Sequence, residues 1–206
     1  MSNAIQYYTP DKSKSIFFCA DLHGFHKNIC SGVSDWSDKS GCRQFDNQYT
    51  MTNHMVDVIN KTVDSNDILY CLGDWSFGGK DNIKRLRDMI KCQTIILILG
   101  NHDHHIRNNI DLQSLFTHVS AYEEFYYRKK LVCCSHYPFG SWNEIGRGSL
   151  NLHGHSHGTY KPIGRQMDVG VDCHDFKPVK LEDAIAQLRD KEVARVDHHD
   201  DKTNYH

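Results

Sequence analysis

Three short apolar runs, SIFFCA (15–20), DILYCL (67–72) and TIILIL (94–99), each stop abruptly at an Asp or a Gly. Runs of this length without strict alternation predict strands buried on both faces, the kind found in parallel sheets covered by helices. Between the first two lies NQYTMTNHMVDVINKTV (47–63), whose Met51, Met55, Val58, Ile59 and Thr62 share one helical face, with Asp46 or Asn47 placed to cap it. Between the second two, KDNIKRLRDMI (80–90) puts Ile83, Leu86, Met89 and Ile90 on one face and basic groups on the other. The chain therefore begins as βαβαβ, which predicts an α/β fold.

Further along, AYEEFYYR (121–128) and KLVCCS (130–135) predict a hairpin turning at Lys129-Lys130. The aromatics Tyr122, Phe125, Tyr126 and Tyr127 are expected to pack a sheet. SLNLHG (149–154) and QMDVGV (166–171) are later strands, and LEDAIAQLRD (181–190) is a final amphipathic helix. Residues 1–190 are expected to form one domain, followed by a charged, aperiodic tail (191–206) that frays. Met1–Ala4 is given no part in the fold. Residues 28–45 hold Gly, Ser and Asp without periodicity; a loop of that length in a compact domain is often functional.

Composition narrows the function classes. At 206 residues the chain needs no disulfides to hold a core. Eight cysteines lack any C-x-x-C pairing and several sit in apolar runs, which points to free thiols in a reducing, cytoplasmic setting. No run approaches the roughly 20 apolar residues of a membrane span, and the N-terminus lacks a charged-then-apolar signal design. A formal charge of -2 weighs against a nucleic-acid backbone as partner. Nothing in the sequence sets an oligomeric state.

The chemistry lies just past the end of each strand. After the first come Asp21 and His23; after the second, Asp74; after the third, Asn101, His102 and Asp103. His136 comes directly after the KLVCCS strand, and LHGHSHG (152–158) presents His153, His155 and His157 at alternate positions. Open α/β sheets bind ligands beyond the carboxyl ends of their strands, so these groups should converge. Carboxylates, an amide and imidazoles suit Mn, Fe, Zn or Ni better than Mg or Ca, and the set is large enough for two divalent metal ions, Mn being the first choice.

At these residues the sequence resembles the calcineurin-like metallophosphoesterase superfamily, whose motifs D-x-H, G-D, G-N-H-[DE], a lone H and G-H-x-H all occur here in order between residues 21 and 157. The stretches DLHGFHKNI (21–29), CRQF (42–45) and SHYPFGSW (135–142) are similar to a subgroup of small bacterial and phage phosphoesterases without a cap domain. The resemblance implies a four-layer αββα sandwich with a dimetal site at the C-terminal ends of the strands. It assigns Asp21, His23 and His157 to one metal, Asn101, His136 and His155 to the other, and Asp74 to both. His102 becomes the general acid to the leaving oxygen and a donor to phosphate. Asp103 is expected either to orient His102 or to cap the following segment. His26, Asn28 and Arg43 are substrate candidates from the long loop, although Arg43 could instead pair with a nearby Asp. His153 lies outside the motifs, as a donor behind the ligands or a plain strand residue.

Two cations about 3.5–4 Å apart neutralise a phosphoester, clamp its attacking and leaving oxygens, and supply hydroxide near neutral pH. The expected activity is thus metal-dependent hydrolysis of a small phosphodiester, such as a cyclic nucleotide or related metabolite. A nuclease and a non-catalytic scaffold of the same fold rank below it.

Overall fold

A computed structural model describes residues 7–196. Met1–Ala4 and residues 197–206 of the expected tail lie outside the described residues. The chain runs β1 (Ile16–Cys19), α1 (Gln48–Thr62), β2 (Ile68–Cys71), α2 (Lys80–Met89), β3 (Thr94–Ile98), the short α3 (His104–Arg107) and α4 (Ile110–Gln113), and β4 (His118–Ser120). It continues through β5 (Tyr122–Tyr127), β6 (Lys130–Ser135), β7 (Leu150–His153), β8 (Gln166–Asp168) and β9 (Val179–Lys180) to α5 (Leu181–Leu188).

One sheet has the order β4-β3-β2-β1-β9, the other β5-β6-β7-β8. In the first, β1 to β4 pair in parallel, so their carboxyl ends share one edge, while β9 is antiparallel. In the second, β5 and β6 form the hairpin and β6, β7 and β8 run parallel. Alternate side chains of β1, β2 and β3 explain the unbroken apolar runs. Phe17, Leu69 and Ile95 face α1 and α2, whereas Ile16, Phe18, Tyr70 and Ile96 face the second sheet. Helix α1 is capped by Asn47, whose side chain accepts from the backbone of Tyr49 and Thr50. The layers run helices, sheet, sheet, and then a thin cover in which Trp142 and Ile145 pack on Leu131 and Cys133. Phe125 and Tyr127 pack between the sheets as expected, and α5 adds Leu181, Ala184 and Leu188 at the edge of that same core.

The structure corrects several expectations. The hairpin turns at Arg128-Lys129, both left-handed at φ 46° and 67°, one residue earlier than expected. The strand expected over 166–171 ends at Asp168 because the chain then crosses sheets: the Val169 N–H still donates to the His153 carbonyl, but Gly170 bridges Ala20 beside β1. Strands β4 and β9 are additions to the expected set, being too short for periodicity to register. At the start of the expected tail, the Arg165 guanidinium donates to the carbonyls of Arg189 and Lys191, and Ala194 packs on the thin cover.

Leu86, fully buried on α2, fills the space that a side chain on Gly24 would occupy. Leu86→Ala is expected to cost about 2–5 kcal/mol, read as a shift in the urea midpoint of metal-free protein; an unchanged midpoint would show that α2 is not part of the cooperative core.

Candidate metal centre

The strand-end turns are bound to one another before any side chain is considered. Asp21 N–H donates to the Gly73 carbonyl, His23 N–H to Asp74, Gly154 N–H to His136 and Val171 N–H to Ala20. Close approach demands glycine: a Cβ on Gly154 would sit 2.5 Å from the Ala20 Cβ and 2.8 Å from Asp21 Oδ2, and one on Gly100 would collide with the Asp74 carboxylate. Five of the seven expected ligands lie in the left-handed region, Asp21, His23, Asp74, His155 and His157, with φ between 46° and 70°. Asp and His tolerate that conformation better than most residues, but each such position still costs stability. The sharp turn directs each side chain back over the sheet edge.

The donor atoms of Asp21, His23 and His157 lie within 4.8 Å of one another, and so do those of Asp21, Asp74 and His136. Asp74 stands between the two sets, its Oδ2 3.7 Å from His23 Nε2 and 3.6 Å from His136 Nε2. His136 Nδ1 meets the Leu72 carbonyl at 2.8 Å, so that nitrogen carries the proton. Its bare Nε2 then faces Asn101 Oδ1 at 2.9 Å as well as Asp74. Three acceptors meeting without a proton between them fit a cation. The His155 ring lies 5.0 Å from that of His136, the imidazole assigned to the same metal. Its backbone N–H also holds Asp21, at 2.8 and 3.1 Å from the two carboxylate oxygens.

Burial shows in the electrostatics. Asp21 is fully buried, and desolvation pushes its carboxyl up to about 8. Desolvation, with Arg43 nearby, holds His23 well below the ordinary imidazole range. His157 moves the other way because its Nδ1 bonds to Asp172 at 2.6 Å.

His102 stands exposed at the rim, its backbone N–H donating to Asp74 Oδ1 at 2.9 Å and its ring 5.6 Å from that of His23. Asp103 does neither thing expected of it. Its carboxylate makes no cap bond and accepts from the backbone N–H groups of Gly100, Asp74 and Trp75, pinning the β2 and β3 turns together. Arg43 takes the other course open to it and pairs with an Asp. It is buried, with Nε and Nη2 on Asp172 at 2.7 and 2.8 Å, Nη2 also on the Asp21 carbonyl at 2.6 Å, and Nη1 on the Leu22 carbonyl at 2.9 Å. Asn28 is engaged within its own loop, accepting from Asp35 N–H. His26 accepts from Ile29 N–H and packs on Phe77, whose ring also faces His102. His153 is a buried strand residue bonded to the Gly154 carbonyl. Asp172 joins the site without having been expected there; its position two residues past Gly170 is a weak signal, equally that of a turn residue.

Fold and site together define a metal-dependent phosphoester hydrolase. A profile of the calcineurin-like phosphoesterases matches residues 14–201, and the chain belongs to that family. It is similar to the Gene 66 protein of Mycobacterium phage D29, at 26% identity over 194 aligned residues covering 80% of this chain and 92% of that protein. Its fold is similar to that in the crystal structure of the protein of unknown function AQ665 from Aquifex aeolicus, with a TM-score of 0.61 and 22% identity over 85% of this chain and 99% of that one.

These shifts set a pH dependence for the metal-free protein. The unfolded chain releases the Asp21 proton near 3.8 while the folded chain keeps it to about 8, so this contribution falls as pH rises through that window. The raised value of His157 contributes stability below 6.5 that is lost as pH climbs past its folded value. The depressed His23, His26 and His155 act oppositely, but their gain is complete once the unfolded histidines have lost their protons near 6.5. Between 6.5 and about 8 the metal-free protein should therefore lose stability, and divalent metal should flatten the trend. Urea unfolding at both pH values, with and without chelator, measures this; rising metal-free stability over that interval would refute it.

Proposed function

We propose that the chain hydrolyses small phosphodiesters, cyclic nucleotides or related metabolites, with two divalent ions of which manganese is the first choice. One observation carries the reading: the side chains of Asp21, His23, Asp74, Asn101, His136 and His157, from five separate turns, form two adjoining donor groups with no Lys or Arg among them. The nearest buried cation, Arg43, is fully engaged elsewhere. When bound there, divalent ions supply charge neutralisation for the phosphoester and bring the pKa of water towards 7.

The chain's own residues do the rest. Asp74 offers two oxygens and a full charge between the two sets of imidazoles, which offsets repulsion between cations as an amide could not. Asn101, being neutral, leaves the site electrophilic. The His102 backbone steadies Asp74 while its exposed ring overlooks the opening, where it can give a proton to the departing oxygen. The formal charge of -2 favours a small substrate over nucleic acid. A cytoplasmic setting belongs to the same proposal, supported by eight unpaired cysteines of which seven are buried. Among the described residues no helix is long and apolar enough to cross a membrane.

Chelation should abolish hydrolysis of a panel of cyclic nucleotides, diesters and monoesters, and manganese should restore it; chelator-insensitive activity in protein free of metal would sink the proposal. His102→Ala should retain metal and lose roughly 10²–10⁴-fold in kcat/KM on an alkyl or ribose ester, and much less on a nitrophenyl ester. Equal losses across esters of graded leaving-group pKa would leave His102 as a phosphate-binding residue only.

A further inference from the structure

We propose that Arg43 and Asp172 are positioning residues for His157, and that they set the affinity of the Asp21–His23–His157 metal position while leaving the other position untouched. The inference rests on the metal reading above. His157 lies in a left-handed, partly exposed turn, and its imidazole is held by one bond, from Nδ1 to Asp172 Oδ2 at 2.6 Å. That bond occupies Nδ1 and leaves Nε2 as the nitrogen for a metal; one nitrogen of the ring lies within 4.8 Å of donor atoms of Asp21 and His23, and the ring stacks on that of His23 at 5.3 Å and 10°.

Asp172 cannot hold itself in place. It sits in the single turn Val171–Cys173, and its carboxylate is fixed by the two-pronged bond from Arg43. Arg43 is fixed in turn, because its remaining donors take the Asp21 and Leu22 carbonyls and lie 3.6 Å from Met51 Sδ on α1. All five guanidinium N–H groups are thereby used. The guanidinium thus grips the backbone of one ligand, Asp21, and the carboxylate that orients another, His157. None of these bonds reaches Asn101, His136 or His155. A carboxylate on the far nitrogen of a ligating imidazole fixes its tautomer and orientation, and losing one typically costs about 10–100-fold in metal affinity. Lysine cannot replace Arg43, since an ammonium lacks the planar fork that spans both Asp172 oxygens.

The test is cobalt(II) titration of the metal-free full chain, followed by calorimetry and visible absorption, in wild type, Asp172→Asn and Arg43→Lys. Wild type should show two binding steps. Each variant should weaken one step by roughly 10–100-fold and leave the other unchanged. Both steps weakening together, or neither, overturns the inference. Should the variants not fold, nitrogen-15 spectra of zinc-loaded wild type decide it: zinc on Nε2 of His157 with a proton retained on Nδ1 supports the assignment, and zinc on Nδ1 overturns it. Wild type that binds no cobalt would bring down the metal reading itself, whereas two wild-type steps unaltered in the variants would bring down only this inference.

Discussion

Two carboxylates taken out of water at the edge of a parallel sheet set the terms for everything around them. Asp21 and Asp74 end adjacent strands and are 0% and 2% exposed. Buried ionised groups are tolerated only with hydrogen bonds and opposite charge close by. The chain supplies the first in kind: backbone N–H groups of His155 and His102 reach Asp21 and Asp74. It supplies the second only through His157, because Arg43 approaches Asp21 through the backbone carbonyl and not the carboxylate. The site is thus complete in its dipoles and deficient in positive charge, which is the electrostatic basis for divalent ions.

The same economy explains the burial of Asp103. Its three accepted backbone bonds come from the two turns that carry Asp74 and Asn101, so one acidic side chain aligns ligands from β2 and β3 without joining them. Arg43 does the corresponding work for β1 and the turn after β8. The polar groups surrounding the ligands are largely a scaffold for direction, with the exposed His102, and Phe77 beside it, at the rim.

Much of this was legible in the sequence, for identifiable reasons. Strands β1, β2 and β3 are buried on both faces and so leave unbroken apolar runs, and glycine or aspartate ends them because the turns after β1 and β2 are left-handed and the one after β3 has no room for a Cβ. The ligands come after those ends at fixed spacing. What could not be read were partnerships across long distances. Arg43 and Asp172 are 129 positions apart, and the local roles open to Asp103, orienting a histidine or capping a helix, are not the one it plays. The two-residue β9 lacks any period, and the 166–171 run looks like one strand although the chain changes sheets within it.

The bond from His155 N–H to Asp21 closes a span of 134 residues and joins the ends of two different sheets. Contacts of such separation form late, after the loop entropy has been overcome by the sheets docking on each other. No early fragment, neither the βαβαβ half nor the hairpin half, contains a finished coordination set. A full set of donors therefore exists only in a chain whose two sheets have come together.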